Sequence, residues 1–114
     1  MISTNQYPPK SPEQTLQQAI NLHQAGQLQE AEYLYRALLQ IEPQHPDVNH
    51  NLGVLSVQNN QPEAGLPYFK AALEINPLFD QYWLSYINAL IQAGQYEMAR
   101  QIMEEGRQHG LSGE

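Results

Sequence analysis

The chain has 114 residues, with five Lys and Arg against twelve Asp and Glu, a formal net charge of -7 and no cysteine. That length suits one domain with a modest core, the negative charge repels phosphate backbones and anionic lipid surfaces, and the absence of Cys excludes disulfides, Cys-ligated zinc and thiol chemistry. No apolar run approaches the roughly 20 residues needed to span a bilayer, and the opening MISTNQYPPK has no apolar stretch of the secretory type, so neither nucleic acid nor membrane is expected as a partner and a cytoplasmic location is predicted.

The segment Met1 to Lys10, with Pro8 and Pro9, has no periodicity and is expected to be mobile; the folded domain is predicted to occupy 11–114. Ser11, Pro12, Glu13 and Gln14 read as a helix start, with a hydroxyl at the N-cap, proline at the first helical position and Gln placed to close a capping box. The first predicted helix runs from about Pro12 to Ala25, and Gly26 ends it. A second covers about Leu28 to Glu42, where Leu28, Ala31, Leu34, Tyr35, Leu38 and Leu39 give the three-and-four spacing of one buried face. Pro43 and Pro46 forbid its continuation. Further helices are predicted at about Pro46 to Gln58, Glu63 to Ile75, Asp80 to Ala93 and Tyr96 to His109. Pro67, a turn inside the fourth, predicts a kink or a late start there. Gly106 and Arg107 thin the apolar face of the sixth toward its end. Such short connections make consecutive helices antiparallel neighbours.

The landmarks of these helices recur at a step of 34 residues. Ala19, Gly53 and Ile87 form one column; Gly26, Asn60 and Gly94 another; Ala31, Gly65 and Ala99 a third; Tyr35, Phe69 and Met103 a fourth; Pro43 and Pro77 a fifth. A fixed step of this size marks stacked units, none of which can bury its apolar face alone. Small residues at Ala19, Gly53, Ala31, Gly65 and Ala99 let backbones approach, and Tyr35 and Phe69 fill the wider gaps. With Trp83, Leu90, Gly94, Tyr96 and Ala99 in the third unit, Leu52, Gly53, Phe69, Ala72 and Pro77 in the second, and Ala19, Leu22, Gly26, Ala31, Tyr35 and Pro43 in the first, the chain resembles the tetratricopeptide repeat family over about residues 12–110. The resemblance implies an all-α, right-handed α-solenoid of three helix-turn-helix repeats, six antiparallel helices in all, at about 12–45, 46–79 and 80–111. Thr15, Gln18 and Ser56 depart from the family by standing where larger or apolar groups are usual. Repeats of this family are commonly followed by a capping helix, and only Leu111 to Glu114 remain here. The stripe of Tyr82, Tyr86, Ile102 and Met103 then either packs within the third unit or stays partly uncovered as a self-association face, giving a weak homodimer, or a seat for a following helix.

The resemblance places function on the concave surface built by the first helix of each unit. Its register assigns to a peptide-binding groove Gln17, Ile20 and Gln24 from the first unit, His50, Asn51, Val54 and Gln58 from the second, and Ser85, Asn88 and Gln92 from the third. Side-chain amides both donate and accept, so a column of them can hold an extended peptide by its backbone. The groove register carries no Lys or Arg. Chaperone-binding members clamp a peptide's C-terminal carboxylate with Lys, Asn and Arg; here only Asn51 matches, with Leu16, Ile20, Gln81 and Ser85 at the other clamp positions, so an acidic tail is not the expected ligand. Asn51, Leu52 and Gly53 beside the amides also resemble the N-terminal repeats of bacterial O-linked N-acetylglucosamine transferase-like enzymes, which implies as an alternative a substrate-recruiting arm of a larger glycosyltransferase. Gln24, Gln58 and Gln92 have a simpler explanation as good helix formers at wet positions. Trp83 belongs to the core by its column rather than to a stacking site. The sequence has no phosphate-cradling glycine loop, no His-Glu-x-x-His helix and no nucleophile elbow, and its four histidines are dispersed, so neither catalysis, a cofactor nor a metal is expected. The expected function is a non-catalytic module that binds a protein or extended peptide.

Overall fold

The computed structural model describes residues 10–111, and among them there are six α-helices and no strand. The helices are α1 (Pro12–Gln24), α2 (Leu28–Ile41), α3 (Pro46–Gln58), α4 (Pro62–Ile75), α5 (Asp80–Gln92) and α6 (Tyr96–Gln108). Except for Lys10, whose ammonium donates to the Gln18 side chain, the segment expected to be mobile lies outside the described residues. Each helix packs on the next, and α3 also touches α5, so first helices form one wall and second helices the other. The result is elongated, 59 × 26 × 22 Å, as an open-ended stack requires.

The helix boundaries have local causes. Ser11 accepts from the Gln14 backbone N–H at 3.1 Å while its own N–H donates to Gln14 Oε1 at 2.9 Å, closing the capping box. Gly26 at φ +81°, Asn60 at +60° and Gly94 at +77° occupy the left-handed region just past α1, α3 and α5. In each case the N–H of that residue and of the next reach back into the last turn, as Gly26 to His23 and Gln27 to Leu22 do at 3.0 and 2.9 Å. This double closure uses the orphan carbonyls that a helix end leaves. The column thus preserves a backbone conformation, and Asn60 shows that it is not restricted to glycine.

Two clusters make the core. Tyr35, Leu38, Val48, Leu52 and Leu55 join α2 to α3, and Phe69, Leu73, Trp83, Tyr86 and Leu90 join α4 to α5. The close approach expected at the small columns is sharpest between α3 and α4, where a Cβ on Gly53 would stand 2.6 Å from the Phe69 ring and one on Gly65 would stand 2.8 Å from Gly53 O. Ser56 explains itself here, because its Cβ already lies 3.2 Å from that built position on Gly65 and a larger residue would push the helices apart.

Two expectations change, and one left open is decided. α4 begins at Pro62, so Pro67 does not delay it; the proline sits exposed within a continuous helix, where water can serve the carbonyl it leaves unbonded. Gly106 is buried, and a Cβ there would meet Leu111 at 2.8 Å and Trp83 at 3.3 Å. The thinning of α6 is therefore a slot into which Leu111 folds back, set by Gly110 at φ +99° and the bond from Leu111 N–H to Gly106 O at 2.8 Å. Of the stripe expected to pack or stay open, Tyr82, Tyr86 and Ile102 are buried within the stack, and Met103 alone is exposed.

Candidate binding surface

The first-helix wall carries all ten residues assigned to the groove: Gln17, Ile20 and Gln24 on α1, His50, Asn51, Val54 and Gln58 on α3, Ser85, Asn88 and Gln92 on α5. They do not form one uniform ladder of open amides. Gln58 Oε1 lies 2.6 Å from His23 Nε2, and His23 Nδ1 lies 3.0 Å from the Tyr35 hydroxyl. An amide oxygen only accepts, so His23 Nε2–H is the donor to Gln58. Ser85 Oγ accepts from Gln81 Nε2 at 3.0 Å and lies 2.8 Å from His50 Nε2, within hydrogen-bond distance. The Tyr82 hydroxyl donates to Asp47. The His23–Gln58, His50–Ser85 and Asp47–Tyr82 bonds each join one first helix to the next, and each spans 35 residues. These groups fix the pitch of the stack.

Burial sets their electrostatics. It pushes the Tyr35 hydroxyl up to about 12, against a smaller opposing effect of the Asn51 side chain, and it raises Tyr82, with the Asp47 carboxylate adding to the rise. His50, between the Phe69 and Tyr82 rings at 5.6 and 5.0 Å, is held below the usual histidine range by desolvation, which outweighs the opposite effects of Asn51 and Asp47. A half-buried imidazole held in its neutral form is a joint between units, not a proton carrier.

What remains open is smaller. Gln24, Asn88 and Gln92 are exposed and make no side-chain hydrogen bond among the described residues; Gln17 bonds only to Asn21 on its own helix at 3.0 Å. Ile20, Asn51 and Val54 are half-buried. Beside them, Leu84 is 48% and Ile91 45% exposed. α1, α3 and α5 contain no Lys or Arg.

Sequence reasoning missed one buried polar group. Asn49 is 4% exposed and its Nδ2 donates to Pro43 O at 3.2 Å and to His45 O at 2.8 Å. One unit on, Trp83 Nε1 donates to Pro77 O at 2.8 Å. Asn49 and Trp83 share a column, each six residues past its proline. The signal was a donor at a fixed offset from the proline column, hidden because the two residue types look unrelated.

Two segments of the chain, residues 22–66 and 56–110, match the tetratricopeptide repeat family. The chain belongs to that family, whose members are generally non-catalytic scaffolds for protein–protein interaction. Among solved structures it is similar to MamA from Desulfovibrio magneticus RS-1, at 21% identity and TM-score 0.78, covering 88% of this chain and 56% of that one. The Sgt2 TPR domain from Aspergillus fumigatus aligns at 18% identity and TM-score 0.79, over 98% of this chain and 76% of that one. Pseudomonas aeruginosa PilF aligns at 23% identity and TM-score 0.75, over 90% and 47%. The chain thus spans little more than half of the MamA chain that it matches. No curated protein matches it.

Proposed function

We propose that the chain binds a protein or extended peptide against the wall of α1, α3 and α5 and performs no chemistry itself. The observation that carries this reading is the set of unengaged amides, Gln24, Asn88 and Gln92, beside the exposed aliphatics Leu84 and Ile91, on helices without a cation. Amides suit a peptide backbone, and the exposed Leu84 and Ile91 suit its apolar side chains. The engaged members of the wall, His50, Gln58 and Ser85, serve by holding the first helices in register.

Peptides selected on the wild type from a random extended library test the reading. The triple variant Gln24→Ala, Asn88→Ala, Gln92→Ala should keep the wild-type melting temperature, since no side-chain hydrogen bond among the described residues is removed, and bind those peptides about tenfold or more weakly. Undiminished binding would rule out the amide wall.

A second reading, self-assembly through the last unit, is favoured by one observation. Leu84 shares a column with His50 and Ile91 with His23, and those two histidines each reach the next first helix. The exposed pair therefore stands where a further first helix would stack, from this chain's second copy or from a following unit. Sedimentation separates the two: a mass that stays monomeric at high concentration removes the copy.

A further inference from the structure

The second-helix side carries a groove that the peptide-binding reading leaves unused. α4 and α6 stand apart above α5 and flank an open groove of about 430 Å³, a volume within the roughly 300–1,000 Å³ of ligand pockets. Its floor is the edges of Trp83 and Tyr86, only 5% and 7% exposed, and its sides combine Leu73 from α4 with Ile102 and the more open Met98 from α6. His109 closes one end, its ring tilted 33° over the Trp83 indole at 5.2 Å.

Charge at the rim is asymmetric. Glu74 enters from the α4 side and Glu105 from the α6 side, with Lys70 one turn before Glu74. Among the described residues the ion pairs are Arg36–Glu32, Arg100–Glu97 and Arg107–Glu104, so neither rim carboxylate is neutralised by a neighbour and Lys70 does not pair with Glu74. Both carboxylates act on one atom between them: the Tyr86 hydroxyl is raised first by burial and then by Glu105 and Glu74. An aromatic floor under two unpaired carboxylates attracts a cation from above and an aliphatic stem from the side. Of the natural side chains, arginine offers both, with a planar fork that can serve two carboxylates at once. The net charge of -7 adds a long-range field of the same sign.

We propose that the α4–α6 groove docks a basic amphipathic segment of a partner protein, with an arginine side chain laid along Trp83 and Ile102 and its guanidinium held between Glu74 and Glu105. The site is independent of the first-helix wall. It gives the scaffold a second attachment point on its other layer.

Trp83 is the sole tryptophan, so its emission reports occupancy directly. The probe is a helical peptide of alternating leucine and arginine faces, titrated beside a peptide of the same length in which glutamate replaces arginine. The arginine peptide should shift Trp83 emission saturably and lose affinity with rising salt, and the glutamate peptide should do neither. The double variant Glu74→Gln, Glu105→Gln should weaken the arginine peptide about tenfold or more, while Gln24→Ala, Asn88→Ala, Gln92→Ala should leave it unchanged. Equal binding of both peptides, or wild-type affinity in a folded Glu74→Gln, Glu105→Gln variant, would overturn the proposal. So would loss of binding in the amide-wall variant, which would place the peptide on the other face. A concentration-dependent mass without peptide that the Glu74→Gln, Glu105→Gln variant abolishes would make the occupant a second copy of the chain and overturn the assignment to a partner.

Discussion

In the second unit the Phe69 ring lies directly on Gly53, and α3 and α4 are the most closely packed helix pair of the molecule. In the third unit the same two columns hold Met103 and Ile87. A ring could not occupy over Ile87 the space that Phe69 takes over Gly53, since even a single Cβ at 53 would collide with it. Met103 is accordingly 40% exposed where Phe69 is 1%. The third unit instead buries its bulk on the first helix, in Tyr82, Trp83 and Tyr86, and lets Leu111 fill the Gly106 slot. A column therefore fixes the position of a side chain in the stack and not how much volume it must supply. Volume is shared between facing columns, and one can shrink if the other grows.

The largest test of that statement is truncation in the one column. Phe69→Ala should cost about 3–5 kcal/mol in urea denaturation, a large part of the roughly 5–15 kcal/mol that a domain possesses. Met103→Ala should stay within about 1 kcal/mol. Comparable losses from both would break the comparison, because they would mean that Met103 is packed as Phe69 is.

A substitution on the facing column sharpens it. Gly53→Ala drives a methyl into the Phe69 ring and should cost about 1–3 kcal/mol. Combining it with Phe69→Leu should cost less than the two separate losses added together, since the smaller side chain leaves room for the methyl. Strict additivity in the cycle would show that the two columns do not share volume.

The six helices and their ends were legible because capping boxes, prolines and the left-handed turn residues act locally: Ser11 with Gln14, Pro43, and the Gly26, Asn60 and Gly94 column each state their role within a few residues. The faces were legible too, since the 34-residue step repeats them. What the sequence hid is pairing across units. Nothing near Gln58 announces that His23 will take its amide oxygen, and nothing near Ser85 announces His50. Such bonds join residues 35 positions apart on successive first helices, and no local sequence signal marks the partner. The α4–α6 groove was invisible for a related reason: Glu74 and Glu105 come to line one groove only once the second helices are stacked over Trp83 and Tyr86.

The smallest effect expected is also confined to one junction. Leu16, His50 and Leu84 share a column, so only the second unit places a titratable group there. Asp47 and Asn51 approach His50 from its own helix, Ser85 and Tyr82 from α5 and Phe69 from α4. Desolvation dominates, so the folded imidazole titrates below the roughly 6.5 of an unfolded chain. Between the two values the unfolded state binds more protons, and stability therefore rises with pH across that window. The contribution is complete above about pH 6.5 and is lost as pH falls through the lowered folded value. Denaturation midpoints should accordingly drop on acidification, and His50→Leu, which restores the residue of the flanking units, should flatten that slope even though it forfeits the Ser85 bond. An unchanged slope in the variant would mean that the acid sensitivity arises elsewhere, and that the His50 joint behaves like the leucines above and below it.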